Sequence, residues 1–439
     1  MNLSKLFFYS LLFTTSATAG DSPEAGSRSS PSNTFTVDQV VRAVLDNNPR
    51  LKAAAGKWHA LRERIPQANA WDDLKLGAEQ RLARFVDVPP NAFTDERITA
   101  EQVIPISGKN RSRGRIAAAD AQQGFEQFRR ERINVVVEAK SAFYRLSNAY
   151  AQLELNEKNV TSLKQISEVA ATRYAVGNQT AAEALAAQTE TSRSIESRRD
   201  LERALSDART RLNVLMNRDA FAPLGMSAAT RSDSAADLSL SPLRALLIAN
   251  RPEIRSAKAK IAGEQGKLEL ARRAWIPDPA IGVRAERYNA ANESVSELGG
   301  GVSFNVPWIN AGKYSAATRE ARASLRAAKN EKDREEKEAI GLLRDQLQKI
   351  ETARHHAELF QTEILPQARQ AFEASQLGYE TSNAGFAEWI GAQRSLRDVE
   401  AAAREHVTDY QIAVAELEGV IGADFADREE RLGNKEKSK

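Results

Sequence analysis

Apolar positions along this chain of 439 residues change their period several times, and each change marks a new element. Between Thr36 and Ala70, Val40, Val41, Val44, Leu45 and Leu51 recur at helical spacing, with Asp38 near the start and Asn48-Pro49 as an interruption. The period then shortens to two. Leu74, Leu76, Ala78 and Leu82 alternate with Lys75, Gly77, Glu79 and Arg81. After a loop at Val88-Pro89-Pro90-Asn91, Ile98, Ala100 and Ile104 alternate with Arg97, Thr99 and Glu101. This alternation predicts a pair of strands at about 74–105, stopped by Pro105. From Lys109 to Val176 no loop cluster breaks the helical pattern, and those 68 residues would span roughly 100 Å.

The whole order then recurs. Pro242 to Ala274 repeats the first helix, with Leu243, Leu246, Leu247 and Ile254 and an interruption at Arg251-Pro252. A second strand pair, about 280–307, places Ile281, Val283, Leu298, Val302, Phe304 and Val306 against Gly282, Arg284, Ser303 and Asn305. Lys313 to Glu380 is again a run of 68 residues, with a heptad seam at Leu343, Ile350, Ala357, Ile364 and Ala371 and a kink predicted at Pro366. Each long run ends in a short turn, Tyr174-Ala175-Val176-Gly177-Asn178 and Tyr379-Glu380-Thr381-Ser382-Asn383, with Gly and Asn suited to a sharp helix reversal. Return helices follow, from about Thr180 to Met216 and from about Ala384 to Ile421. Their seams are Leu201, Leu205, Ala208, Leu212, Leu215 and His406, Tyr410, Ala413, Leu417, Val420. Pro49 and Pro252 lie 203 positions apart, and Tyr174 and Tyr379 lie 205 apart. Such constant offsets identify an internal duplication. The expected organisation is a first repeat at 36–218, a linker at 219–241, a second repeat at 242–425 and a charged tail at 426–439.

The N-terminus adds a compartment. Lys5, the apolar run Leu6 to Phe13 and Ala17-Thr18-Ala19 have the order of a secretory signal peptide, residues 1–19, followed by a flexible lead-in at 20–35. Composition agrees with long helices: 28% charged residues, 6% aromatic, and no cysteine, hence neither disulfides nor thiolate ligands. A formal charge of +3 with interspersed signs gives no case for nucleic acid. Strands of about ten residues match the length that crosses a bilayer as a tilted barrel strand. Trp71, Phe85, Trp275, Tyr288 and Trp308 near strand ends fit an aromatic belt. A soluble hairpin with one wet face would alternate in the same way. If the strands are in lipid, four per chain cannot close a barrel, and an open edge costs several kcal/mol per unpaired group, so strands from several chains must combine.

The turns Tyr-x-x-Gly-Asn and Tyr-x-x-x-Asn, each followed by Ala-Gln at 187–188 and 392–393, and the two strand-to-helix junctions ending in Gly-Lys, resemble the outer-membrane efflux proteins related to TolC. The resemblance runs from about residue 36 to 425. It implies an α+β, mostly α fold with internally duplicated long helical hairpins in a trimeric α-barrel. Four strands per chain would complete a twelve-stranded transmembrane β-barrel. It also implies a homotrimer in outer-membrane lipid, docked to a periplasmic adaptor and an inner-membrane pump. The adaptor-contacting tips would be Val176, Gly177 and Asn178, where Asn178 replaces the family's Leu, and Thr381, Ser382 and Asn383. The Asn-Pro, Ser-Gly-Lys and Ile-Asn-Ala-Gly-Lys segments look most like the heavy-metal branch.

No catalytic constellation or cofactor motif is visible, so an enzyme is not expected. His355-His356 invites a metal reading, but neighbours on a helix point in different directions, and a solvated face accounts for them; His406 falls on a seam as a packing residue. Glu168 and Glu373, 205 positions apart, are candidate carboxylates at the pore entrance, since carboxylate rings favour cations. Their alternative is to face outside solvent or to pair with Arg173 and Arg369. Two functions compete. One is a passive export duct. The other is a periplasmic coiled-coil adaptor or scaffold without a barrel, which would show one hairpin where this chain shows two.

Overall fold

In the computed structural model, residues 35–80, 95–177, 180–225, 239–289 and 294–422 are described. The signal segment, the loop at Val88–Asn91, Phe85, Asn178, the middle of the linker and the charged tail lie outside them. The first repeat runs α1 (Val37–Asn47), α2 (Pro49–Arg62), α3 (Arg64–Asn69), β1 (Lys75–Gln80), β2 (Glu96–Val103), α4 (Lys109–Ala175) and α5 (Ala181–Leu215). The second runs α6 (Leu240–Asn250), α7 (Pro252–Arg273), β3 (Ala280–Asn289), β4 (Ser294–Ser303), α8 (Ala311–Leu359), α9 (Leu365–Glu380) and α10 (Phe386–Ile421).

The expected interruptions at Asn48-Pro49 and Arg251-Pro252 are helix breaks, and each is tied to the far end of its own repeat. Asn48 accepts from the Arg50 N–H at 2.9 Å, capping α2, while its amide donates to the Leu215 carbonyl at the end of α5 at 2.9 Å. Arg251 donates to the Val420 carbonyl near the end of α10 at 2.6 Å. Both bonds satisfy a last-turn carbonyl that has no partner in its own helix. A third break, at Glu63 between α2 and α3, has no counterpart in the sequence pattern. Apolar cores form between α1, α4 and α5 around Val40, Val44, Phe143, Leu146 and Leu212, and between α6, α8 and α10 around Leu247, Leu343, Ile350, Leu417 and Ile421.

The long second run is not one helix. A π-helical turn at Phe360–Ile364 separates α8 from α9 and ends with the Leu365 N–H bonded to the Phe360 carbonyl. Pro366 follows at once, with no N–H to give, and the widened turn accommodates it. A π turn inserts one residue, so the seam slips by one. Leu343, Ile350 and Ala357 are buried as expected, but Ala371 is exposed, and Phe372, Ser375 and Tyr379 turn inward instead. At the start of this run Gly312 sits inside α8, because a 3-10 turn at Pro307–Asn310 makes the junction.

The junction in the first repeat joins the two halves. Gly108 has φ 71°, a left-handed conformation, and the Arg273 guanidinium lies 2.6 Å from where a Cβ would be. Arg273 donates to the Ser107 carbonyl at 3.0 Å. Asp278, just before β3, accepts from the Ser107 N–H and hydroxyl, each at 2.8 Å, and from Lys109 at 2.9 Å. The Ser-Gly-Lys segment thus fastens the start of α4 to the entry of β3.

The four strands form one antiparallel sheet in the order β1-β2-β3-β4, so β1 and β4 are its edges. The register aligns Leu76, Ala100, Val283 and Gly300, then Ala78, Ile98, Ala285 and Leu298. Cross-strand partners share a face. One face is therefore apolar, with Leu76, Ile98, Val283, Leu298 and Val302 exposed. The opposite face carries an ion-pair chain in which Arg97 bridges Glu79 (3.2 Å) and Glu286 (2.9 Å), with Arg284 3.6 Å from Glu286. Trp71, Trp275 and Trp308 are exposed where the sheet meets the helices, as a belt requires. Tyr288 corrects that expectation. It lies on the charged face, and its hydroxyl donates to Glu297 at 2.8 Å. Phe304, expected in a strand, follows the end of β4 and is exposed.

An arginine at the middle of a lipid-facing surface costs about 2–4 kcal/mol, and one facing the lumen does not. With the apolar face in lipid and the charged face lining the lumen, Leu298→Arg, midway along β4 on the apolar face, is expected to reduce the yield of folded protein in the outer membrane sharply, and Gly301→Arg, on the charged face with open space around it, to leave it near wild type. Equal yields from the two variants would reject this assignment of the faces.

Candidate functional site

The hairpin tips lie at the ends of α4 and α9, roughly 100 Å of helix away from the strands. The first tip is a helix C-terminus closed by Gly177 at φ 77°, whose N–H bonds to the Tyr174 carbonyl at 3.0 Å. The left-handed value is what a glycine at this position provides at least cost. The second tip repeats the bond: the Ser382 N–H reaches the Tyr379 carbonyl at 3.2 Å, and the Asn383 N–H the Gly378 carbonyl at 2.8 Å. Here Ser382, at φ 63°, takes the position of Gly177. Gly378 has another use. A Cβ on it would meet that of Ala384 at 2.8 Å, so it lets the reversal close tightly.

The structure brings the two tips together. Tyr174 is 51% exposed, whereas its counterpart Tyr379 is 1% exposed. Tyr379 stacks on Trp389 at 4.8 Å, meets Phe386 edge-on at 6.0 Å, and packs with Leu163, Ile166 and Ala170 of α4 and Ala187 of α5. Arg173 completes the contact. Its guanidinium lies 4.3 Å from the centre of the Tyr379 ring and donates to the carbonyls of Tyr379 (2.8 Å) and Glu380 (2.9 Å). A cation at the C-terminus of α9 also faces the negative end of that helix. The sequence held a signal for this residue: Arg173 is basic in a last helical turn, and its counterpart 205 positions on is Gly378, so the two copies differ here.

Below the tips a buried polar ladder links the hairpins. Asn159 of α4 donates to the Ser194 hydroxyl at 2.8 Å, Gln393 of α10 donates to Asn159 at 2.9 Å, and Ser162 donates to Gln393 at 3.3 Å. Glu190 of α5 accepts from Arg394 of α10 and from Arg193 at 2.8 Å. Burial alone would raise the Glu190 carboxyl, but the hydrogen bonds and charges of Arg394 and Arg193 outweigh it and hold the group below its ordinary range.

Of the sequence-derived candidates, Val176, Gly177, Thr381, Ser382 and Asn383 are exposed at the tips, and Asn178 lies outside the described residues. The Asn383 amide donates to the Thr381 hydroxyl at 3.1 Å. Glu168 and Glu373 are both exposed, one on α4 and one on α9. Arg173 and Arg369, their alternative partners, are engaged elsewhere, Arg369 with Glu400 at 3.1 Å. His355 and His356 are exposed, and His406 is half-buried against Phe360.

Two outcomes test this geometry. Arg173→Ala removes two charge-assisted bonds and a stacked cation, and is expected to lower the free energy of local opening at residues 377–383 by about 1–3 kcal/mol, read by amide hydrogen exchange. Unchanged exchange there would mean that Arg173 does not join the tips. Glu190 supplies a pH dependence. Its folded-state value is lowered, so its contribution to stability is complete above the ordinary carboxylate range and is lost as pH falls through the lowered value. Glu190→Gln is therefore expected to lower stability at neutral pH and to flatten the loss of stability below about pH 4.

The chain matches the family described as outer membrane efflux protein over residues 40–218 and 243–423. The cobalt-zinc-cadmium resistance protein CzcC of Cupriavidus metallidurans is 25% identical over 150 residues, an alignment spanning 34% of this chain and 34% of that relative. Among solved structures, CusC aligns at a TM-score of 0.76 with 16% identity, covering 88% of this chain and 92% of that one. A membrane protein from Pseudomonas aeruginosa aligns at 0.75 with 18% identity, over 88% and 90%. The Campylobacter jejuni CmeC outer membrane channel aligns at 0.73 with 15% identity, over 90% and 88%. At these identities the solved structures establish the shared fold. With two matched segments covering most of its length, the chain belongs to the outer membrane efflux protein family, has the TolC-like fold, and resides in the outer membrane with a large helical portion in the periplasm.

Proposed function

We propose that this protein is the outer-membrane channel of a tripartite efflux system, a passive duct that docks through its hairpin tips to a periplasmic adaptor and an inner-membrane pump. The observation that carries the reading is the sheet. It is apolar on one face, charged on the other, has β1 and β4 as edges, and is fused to two long hairpins. Three chains edge to edge would make a twelve-stranded barrel with the ion pairs inside, and the hairpins would continue the wall into the periplasm. A periplasmic adaptor or scaffold without a barrel leaves the exposed apolar face unexplained. The channel does no chemistry in this reading, and energy comes from the pump.

Heavy-metal cations are the proposed cargo. The support is the partial similarity to a protein named for cobalt, zinc and cadmium resistance. Glu168 and Glu373, exposed on adjacent hairpins, are the proposed carboxylates at the periplasmic mouth. The adaptor contact is assigned to Val176, Gly177, Asn178, Thr381, Ser382 and Asn383. The bare backbone at Gly177 allows close approach of a partner's helix tip.

A bulky side chain at Gly177 would block that approach without touching the sheet or the cores. Gly177→Trp is expected to give wild-type yields of outer-membrane trimer, by fractionation and crosslinking, while losing adaptor crosslinking and metal resistance. Asn383→Trp should lose less. Gly177→Trp trimers that still crosslink and still confer resistance would remove the docking assignment, and a monomer in the soluble periplasmic fraction would remove the channel.

A further inference from the structure

Away from the tips, a polar cavity of about 650 Å³ lies between α4, α8 and α10, lined among others by Arg145, Asn148, His356, Glu405, His406 and Asp409. His356 and His406 are 50 positions apart in the chain, yet their ring centroids are 5.2 Å apart with the planes inclined at 59°. His406 is held from behind by Phe360, the first residue of the π turn, at 4.5 Å. Asn148 also lines the cavity, and its Oδ1 is buried with no hydrogen-bond partner among the described residues. Asp409 follows His406 by three residues and so lies on the same face of α10. Lys349 lines the same wall, but Glu416 pairs with it at 2.6 Å and offsets its charge.

We propose that this cavity is a binding site for a divalent first-row transition-metal cation such as zinc or cobalt, with the imidazoles of His356 and His406 as its protein ligands, water completing the shell, and the carboxylate of Asp409 adding negative charge to the cavity lining. Imidazole selects such ions over magnesium and calcium, which prefer oxygen donors. The ring separation is close to that of two imidazoles sharing one ion, and a rotation of the exposed His356 side chain closes the remainder. No three His, Asp or Glu side chains among the described residues form a preassembled cage. Structural zinc sites use four protein ligands, so this one binds weakly and exchanges. Weak, exchanging capture suits a passing cargo and not a resident ion. The physiological role rests on the metal-efflux reading, whereas the binding itself does not.

The test uses the untagged full-length protein in detergent, stripped of metal with a chelator. Calorimetric titration with zinc chloride is expected to show one ion per chain, and cobalt chloride to give a ligand-field absorption band. His356→Ala and His406→Phe are each expected to weaken zinc binding at least about tenfold and to abolish the cobalt band. His406→Phe keeps a ring against Phe360 and guards against simple unfolding. His355→Ala should bind as wild type does, and excess magnesium should not compete. Absence of zinc binding by the wild type, wild-type affinity in both His356→Ala and His406→Phe, or an equal loss in His355→Ala would overturn the site. The metal-efflux reading fails separately, if deleting the gene leaves zinc, cobalt and cadmium tolerance unchanged while the purified protein still binds zinc.

Discussion

In hydrocarbon no water is present to satisfy an unpaired backbone N–H or C=O, so β1 and β4, the edges of this sheet, cannot be left open in a bilayer. Much of the architecture follows from that constraint. A duplicated unit contributing two strands gives four per chain, with one face already apolar and the other already ion-paired. Such a sheet is complete in its register but not in its hydrogen bonding, and the duct proposed for this protein is the arrangement that pairs its edges. The sheet must also be set firmly on the helices, and the Ser107–Lys109 segment does this by binding Asp278 and Arg273 of the other repeat.

Duplication sets the frame, and divergence between the copies makes the contacts. At the helix breaks, Asn48 and Arg251 differ in size and charge yet both satisfy a carbonyl at the end of their own return helix. At the tips the copies are unequal. Tyr174 faces out, Tyr379 is buried, and Arg173 of the first tip caps the second, where its counterpart Gly378 leaves room for Ala384. A perfectly repeated sequence would place an arginine at both positions and could not close this contact. The π turn before Pro366 is a further departure confined to the second copy. It slips the seam by one residue and turns Tyr379 inward.

The helical portion is long and thin, and charged residues do part of the work that a thick core does elsewhere. Glu126 has a fully buried side chain, held by Arg129 at 2.7 Å and Arg255 at 3.2 Å. Removing either partner of a buried pair leaves an uncompensated charge, which costs more than the pair itself contributes. Such pairs between α4 and α7, and the Asn159–Gln393 ladder between α4 and α10, also bind one repeat to the other in a single register.

Periodicity in the sequence was enough for the order of elements, the two strand pairs, the long helices, the tips at Gly177 and near Ser382, and the apolar and charged faces of the sheet. These are local properties, because the period of apolar residues reports which face is covered whatever covers it. The sequence did not reveal what depends on residues far apart in the chain. The order β2–β3 across the repeats, Asp278 under Ser107, Arg173 on Tyr379 and His356 beside His406 all join positions more than 45 residues apart. No spacing rule connects such residues. The slipped seam at Ala371 was hidden for a different reason: Pro366 announces a disturbance, but whether a helix answers by kinking or by taking up one extra residue is decided by the packing on both sides of it.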